Sequence, residues 1–197
     1  MAEHPGRLPL LSPDELQADQ RALYESIAGG PRATGPFALV DDEGRLMGPF
    51  NALLHAPGIG AAVERLGVAL RFEGTLDART RELVICAVAA HWASDYEWRA
   101  HSRVARSVGV APAELTALQE RRVPDGLSAA EASALRLAGA LLGDRAVGAD
   151  VYDEVVAHHG HEGVVELGIL VGYYQLLAGV LAAADVPAPA DDEDAGW

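Results

Sequence analysis

The stretch from Leu83 to Ala90 constrains the fold of this chain more than any other part of the sequence. It reads Leu-Val-Ile-Cys-Ala-Val-Ala-Ala and would be apolar on every side of a helix. It belongs to a segment with helical spacing, from about Leu76 to Trp92. A helix without a polar face is stable only where neighbours cover it all round. We therefore expect this segment to lie in the middle of a helical bundle.

Start signals divide the rest of the chain into further helices. A helix to about Ile27 is predicted to begin at Ser12-Pro13-Asp14-Glu15, and a helix to about Val108 at Ser94-Asp95-Tyr96-Glu97. A later helix is predicted to begin at Ser128-Ala129-Ala130-Glu131. Helical spacing also predicts segments from Phe50 to Leu70 with a break near Pro57-Gly58, from Ala111, from Ala149 to His158 and from Glu162 to Ala184. No segment alternates convincingly between apolar and polar residues. The predicted fold is all-α, with about seven to nine helices.

The length of the chain favours one core with looser ends. We expect residues 1–49 to form an N-terminal helix and a Gly/Pro-rich loop or lid, with Val40 to Gly44 as a turn. Residues 50–185 are predicted to form the helical domain. Residues 186–197, which contain the run Asp191 to Asp194, are predicted to be a disordered acidic tail.

Charge and cysteine content exclude several classes of function. Fifteen Lys and Arg residues against 29 Asp and Glu give a formal charge of −14, which would repel a nucleic-acid backbone. The single cysteine, Cys86, excludes an intrachain disulfide and fits a reducing compartment. Met1 to Leu11 lacks the features of a secretory signal. We therefore expect a cytoplasmic protein.

The longest apolar stretch, Gly163 to Ala184, approaches the roughly 20 residues that span a bilayer. Glu166 and Gln175 interrupt it, and it lacks flanking Lys or Arg anchors. We interpret it as a buried core or subunit-interface helix, not as a membrane span.

Three residues are candidates for acid–base chemistry. Glu97 and His101 are four apart and share one helix face, and a carboxylate beside an imidazole suits a general acid or base. Glu82, at the entry of the apolar run, needs a partner and could have a raised pKa. A structural interpretation stays open: a capping box with Ser94 explains Glu97, and Glu82 could pair with Arg79 or stabilise its helix start.

The run from Arg79 to Gly109, followed by Pro112 to Leu115, resembles the core motif of carboxymuconolactone decarboxylase-like proteins. The shared features are a helix that opens with Arg-x-Arg-Glu-Leu, a polar helix start, a histidine and a Gly-Val turn. In the alkyl hydroperoxidase D-like branch of this superfamily, a Glu precedes a Cys-x-x-Cys pair and a His. By position, Glu82 and His101 match the Glu and the His, whereas Ser94 and Glu97 replace the cysteines.

The resemblance implies a fold without the chemistry of the peroxidase branch. Serine and glutamate form neither a sulfenate nor a disulfide, so a thiol peroxidase is disfavoured. The Glu97-Trp98-Arg99-Ala100-His101 pattern is instead similar to the decarboxylase branch, which implies a cofactor-free lyase acting on a small carboxylated lactone or related enolisable compound. A peroxidase-like redox enzyme and a non-catalytic, ligand-binding helical oligomer remain the alternatives.

For such a lyase, we expect His101 to transfer the proton, Glu97 to orient it, and Glu82 to act as a relay that stays partly protonated. Ser94 and Trp98 are expected to contact the substrate. Four arginines flank the predicted site and could bind a substrate carboxylate: Arg32, which we favour, Arg71, Arg79 and Arg81.

Neither a cofactor nor a metal is expected. The cluster His158-His159-Gly160-His161 lies at a predicted helix end, where a capping role is more plausible than a zinc site. Gly168 and Gly172, spaced by four, would let another helix approach closely, which suggests a homo-oligomer. The superfamily resemblance implies a trimer or hexamer.

Overall fold

The computed structural model describes residues 6–31, 39–143 and 146–188. Within these ranges the chain forms one short 3-10 helix and eight α-helices. They are the 3-10 helix Pro13–Glu15, α1 Ala18–Ala28, α2 Gly48–Leu54, α3 Pro57–Phe72, α4 Ala78–Trp92, α5 Asp95–Ser107, α6 Pro112–Gln119, α7 Ala129–Leu142 and α8 Ala149–Ala184. The prediction of an all-α fold with seven to nine helices is confirmed.

Helix α4 lies at the centre of the bundle, as its apolar sequence predicts. Leu83, Val84, Ile85 and Cys86 are all fully buried, and α4 packs against α5, α6, α7 and α8. The helix begins after Asp77, whose carboxylate accepts hydrogen bonds from the backbone N–H and the hydroxyl of Thr80 at 2.9 and 2.6 Å. The centre of the molecule is therefore a helix covered on all sides.

The first helix is shorter than its start signal predicts. Ser12 makes no side-chain cap, and the 3-10 helix ends before Leu16, which is extended and buried. Helix α1 begins with a capping box between Gln17 and Gln20. Burial of the Leu16 side chain in an N-terminal apolar cluster interrupts the predicted helix. The other members of this cluster are Leu23, Ile27, Leu46, Leu53 and Leu54.

The N-terminal cluster joins residues on both sides of position 49, and the predicted domain boundary falls inside α2. Gly48 at the start of α2 has φ +61°, and a Cβ there would collide with the ring and hydroxyl of Tyr96.

The turn predicted from Val40 to Gly44 forms, with the backbone N–H of Gly44 donating to the carbonyl of Asp41 at 3.0 Å. Most of the predicted acidic tail, from residue 189, lies outside the described residues.

Helix α8 combines the two helices predicted before and after the histidine cluster. Gly160 has φ +67° and ψ −179°, which are not helical values, so α8 consists of two helical segments that meet at a kink. His159 Nε2 lies 2.9 Å from the carbonyl oxygen of Ala130 on α7, whereas His161 Nδ1 lies 3.1 Å from the Tyr152 hydroxyl. The neighbouring histidines therefore have different partners on the two sides of the kink.

By length and composition α8 could cross a membrane, since one 18-residue window has a mean hydropathy of 1.8. Half of that window is buried inside the protein. Glu166, which interrupts the apolar pattern, accepts hydrogen bonds from the N–H and hydroxyl of Thr75 at 2.8 and 2.7 Å. Its carboxylate thereby fixes α8 to the loop that precedes α4, so α8 serves as a core helix.

Candidate active site

The beginning of α5 directs a glutamate into the protein. Ser94 occupies the N-cap position, but its side chain makes no cap hydrogen bond. Glu97, predicted to complete a capping box, is instead only 3% exposed. The predicted capping box is therefore wrong, because the Glu97 side chain turns inward towards His101, one helical turn further along.

His101 lies between two buried carboxylates. Its Nδ1 is 2.7 Å from Oε2 of Glu82 on α4, and its Nε2 is 3.4 Å from Oε2 of Glu97 on α5. Glu82 is fully buried and His101 is 7% exposed. We call these three residues the acid–histidine cluster. The three residues proposed from sequence as the acid–base group thus lie together, although α4 and α5 supply them from separate parts of the chain.

The charge of Glu82 is balanced from several directions. Nη2 of Arg71 on α3 and Nε of Arg81 on α4 each lie 3.9 Å from its Oε1. Burial alone would raise the pKa of Glu82, but His101 and the two guanidinium groups outweigh it and hold the pKa below its ordinary value. The expectation of a partly protonated relay is therefore wrong, because the partners stabilise the ionised form.

The ionised Glu82 also fixes the orientation of the imidazole. A carboxylate can only accept, so Nδ1 of His101 donates its hydrogen to Glu82. Nε2 is then the ring nitrogen that can exchange a proton, and it is the one that faces Glu97. This arrangement is typical of a general acid or base held in one tautomer.

Tyr174 is a neighbour of His101 that the sequence analysis missed. Its ring lies edge-on to the imidazole, with 5.0 Å between the ring centroids, and burial raises the pKa of its hydroxyl. In the sequence, Tyr174 could have been identified as a candidate because it is a polar aromatic residue in a largely aliphatic helical segment. Helices α3, α4, α5 and α8 thus all contribute to the surroundings of the acid–histidine cluster.

Cys86 lies one turn after Glu82 and is fully buried. Burial, followed by the charges of Glu82 and Glu97, raises the pKa of its thiol far above the ordinary value. A thiol in such surroundings stays protonated and is a poor nucleophile.

The residues expected to contact substrate are more dispersed. Trp98 is half-buried and packs against the main core, while Ser94 accepts a backbone hydrogen bond from the N–H of Trp98 at 2.9 Å through its carbonyl. Arg32 lies outside the described residues. Arg79 donates to Glu131 and Glu114, at 2.6 Å each, and therefore connects α4 to α6 and α7.

Among the residues described, no group of three or more His, Cys, Asp or Glu side chains is placed to hold a metal ion. The acid–histidine cluster has its members in contact with one another, and its carboxylates are balanced by guanidinium groups. The groups present are suited to holding and moving a proton.

Residues 57–140 match the model of the carboxymuconolactone decarboxylase family. This segment contains Arg71, Arg81 and the whole acid–histidine cluster. This part of the chain is similar to the carboxymuconolactone decarboxylase family. The resemblance inferred from the Arg79 to Leu115 motif is therefore confirmed.

Solved structures with the AhpD-like fold of this superfamily match nearly the whole chain. A peroxidase-related protein with an AhpD core from Ralstonia eutropha JMP134 has a TM-score of 0.76 at 17% identity, covering 96% of this chain and 95% of its own. A peroxidase-related protein from Silicibacter sp. TM1040 has a TM-score of 0.69 at 16% identity, covering 95% and 94% respectively.

The debrominase Bmp8, solved as a cysteine-to-alanine variant with 2,3,4-tribromopyrrole, has a TM-score of 0.69 at 18% identity, covering 94% of each chain. At these identities the likenesses show the fold alone. A search of curated protein sequences finds no match. Ser94 and Glu97 stand at the positions that the resemblance assigns to the cysteine pair.

Proposed function

We propose that this protein is a cofactor-free lyase that acts on a small carboxylated lactone or a related enolisable compound. The observation that carries the proposal is the acid–histidine cluster: a nearly enclosed imidazole between two carboxylates, in a chain without the thiol pair. The family match adds support, because it covers the segment that contains the cluster.

In the proposed reaction, the bond between the substrate's carboxyl carbon and its ring carbon breaks and carbon dioxide leaves. The electron pair enters the conjugated lactone as a dienolate, so the substrate itself is the electron sink. His101 then donates the proton on Nε2 to carbon, and solvent restores that proton. Glu82 holds the imidazole through Nδ1, and Glu97 stabilises the protonated ring.

A thiol-based redox function is less compatible with the observed chemistry. The only cysteine is buried, with a raised thiol pKa, and Ser94 and Glu97 cannot replace a redox pair. We also propose a cytoplasmic location, because a single unpaired cysteine suits a reducing compartment.

The test is turnover of 4-carboxymuconolactone, measured as carbon dioxide release and absorbance loss without added metal or cofactor. We expect His101→Asn to lower kcat by at least about a hundredfold, because general acid–base groups typically contribute 10² to 10⁴. Glu97→Gln should also lower it. His161→Asn, at an exposed histidine on α8, is the matched control and should retain the wild-type rate.

Circular dichroism would establish that each variant is folded. Failure of folded wild-type protein to turn over the lactone would rule out this substrate. Cys86→Ala separates the redox alternative, since the lyase should keep its activity whereas a Cys86-dependent enzyme should lose it.

A further inference from the structure

A cleft of about 200 Å³ lies between helices α4, α6 and α7. We call it the α4–α7 cleft. Much of its lining is aliphatic and comes from all three helices: Ala87, Leu118, Leu135 and Leu142. The volume equals that of about six or seven water molecules in the liquid, at roughly 30 Å³ each. The cleft is therefore large enough for a small organic molecule.

The α4–α7 cleft is separate from the acid–histidine cluster. None of its lining residues belongs to that cluster. Ala87 and His91, one helical turn apart, form the α4 side of the cleft. Ala87 follows Glu82 by five residues, which places it about 140° further round the axis of α4. The cleft and the cluster therefore lie on different faces of the central helix.

Gly139 keeps part of the α4–α7 cleft open. It lines the cleft from the interior of α7, where glycine is less favourable to a helix than alanine. A Cβ at this position would meet no atom of the described residues within 4 Å, so no close contact within the protein requires a glycine there. The space beside Gly139 is therefore free for a ligand.

Arg121 brings a positive charge to the α4–α7 cleft. Its φ is +59°, and its N–H donates to the carbonyl of Leu118 at 2.9 Å, where α6 ends. Glycine is the usual residue at such a helix end, yet this chain has a long cationic side chain there. Arg122, which also lines the cleft, donates to Glu120 at 3.0 Å. In the part of the chain that the structure describes, Arg121 has no such carboxylate partner.

We propose that the α4–α7 cleft binds a small organic acid through its carboxylate and its apolar body. The carboxylate pairs with Arg121 and accepts a hydrogen bond from His91, whose imidazole has an N–H in either tautomer. The aliphatic lining covers the apolar body. A neutral apolar ligand would leave Arg121 unpaired, whereas an inorganic anion would not use the aliphatic lining.

Charge complementarity favours an anion at this place in particular. The chain has a formal charge of −14, so its surface as a whole does not attract anions. An arginine without a carboxylate partner beside an apolar cleft is a local exception to that charge. Binding here forms and breaks no covalent bond, and it does not depend on the proposed lyase activity.

The test compares benzoate with two probes that each lack one of its features. Benzamide has the same shape without the charge, and acetate has the charge without the ring. In nuclear magnetic resonance titrations, benzoate should shift the methyl signals of Val123, which lines the cleft. We expect benzoate to bind at least about tenfold more tightly than either other probe, because both the charged hydrogen bonds and the buried ring contribute.

Arg121→Gln removes the charge and should weaken benzoate binding by at least about tenfold, to the affinity of benzamide. Arg65→Gln is the matched control, since Arg65 is an exposed arginine paired with Glu73 on another side of the bundle. Its replacement should leave the affinity for benzoate unchanged.

Gly139→Leu places a side chain in the space that the ligand needs and should abolish the benzoate-dependent shift of Val123. Leucine favours a helix more than glycine does, so this variant should stay folded, as circular dichroism would establish. Gly58→Leu is the control: Gly58 is also a helical glycine with no atom within 4 Å of an added Cβ. It should bind benzoate like the wild type.

Absence of benzoate binding at Val123 up to the solubility limit, or equal affinities for benzoate and benzamide, would overturn the inference. So would binding that survives Arg121→Gln or Gly139→Leu, or benzoate that shifts the His101 signals and not those of Val123. A crystal structure in which a second copy of the chain fills the cleft would also overturn it. None of these measurements needs turnover, so the result is independent of the lactone assay.

Discussion

Glu82 is a fully buried carboxylate with its charge balanced by an imidazole and two guanidinium groups. Removal of any one partner would leave an under-compensated buried charge, which is one of the more destabilising changes a protein can undergo. The same balance holds His101 in one tautomer. At this residue the requirements of stability and of the proposed proton transfer therefore coincide.

We expect Glu82→Gln to lower the free energy of unfolding at pH 7 by about 2 kcal/mol, the scale of a buried hydrogen bond to a charged group. Because its folded-state pKa is lowered, the stability from ionised Glu82 is complete above the unfolded value of about 4.3 and is lost as the pH falls through the folded value. Urea unfolding from pH 7 to 3 should show the wild-type advantage shrinking on acidification.

The exposed Glu73→Gln is the control for Glu82→Gln, since its ion pair with Arg65 lies in solvent. It should change stability little across the same pH range. A difference between wild type and Glu82→Gln that grows as the pH falls would contradict the assignment of an ionised Glu82.

Helix α8 consists of two helical segments whose directions differ at a single residue. At Gly160 the backbone adopts a positive φ, and the helix resumes with a new direction. The first part of α8 pairs with α7 through His159 and an ion pair between Arg136 and Glu154. The second part supplies core residues and Tyr174 beside His101. The kink therefore helps to position a neighbour of the proposed catalytic histidine.

We expect Gly160→Ala to destabilise the protein by about 1–2 kcal/mol, because a Cβ disfavours a positive φ. There is free space around an added Cβ, so backbone strain is the only cost. Gly139→Ala in α7, which also meets no atom within 4 Å, is the control and should stabilise by about 0.5–1 kcal/mol. Denaturant unfolding checks both, and a neutral Gly160→Ala would contradict a fixed kink.

At the scale of the whole molecule, the second half of α8 presents apolar side chains to solvent. Val165, Ile169 and Leu176 are exposed along the helix. An added Cβ at Gly168 or Gly172 would meet no atom within 4 Å, so the helix backbone itself is open to close approach. We expect a second copy of the chain to cover this face, since an exposed apolar helix face of this kind favours association.

Sedimentation equilibrium should therefore give a mass above that of the monomer, with a trimer or hexamer as the expected state. Ile169→Lys should shift the protein towards the monomer, because a charge would be buried in the contact. Val123→Lys, at an exposed valine between α6 and α7, should leave the assembly unchanged. A wild-type monomer at all concentrations would contradict the prediction.

The sequence alone determined the features that depend on local pattern. The apolar run in α4 predicted a central helix, the Ser128 capping box predicted the start of α7, and the spacing of Glu97 and His101 placed both on one face. Each follows from helical periodicity or from contacts within a few residues, which the linear sequence contains.

Only the tertiary structure decided which distant groups meet. The spacing did not indicate that Arg71 and Arg81 would balance the charge of Glu82, that Tyr174 would lie against His101, or that Glu97 would turn away from Ser94. The contacts of Glu82 with Arg71 and of His101 with Tyr174 join different helices. The ionised state of Glu82 follows from them, because the energy of a buried charge depends on the partners that the fold brings to it.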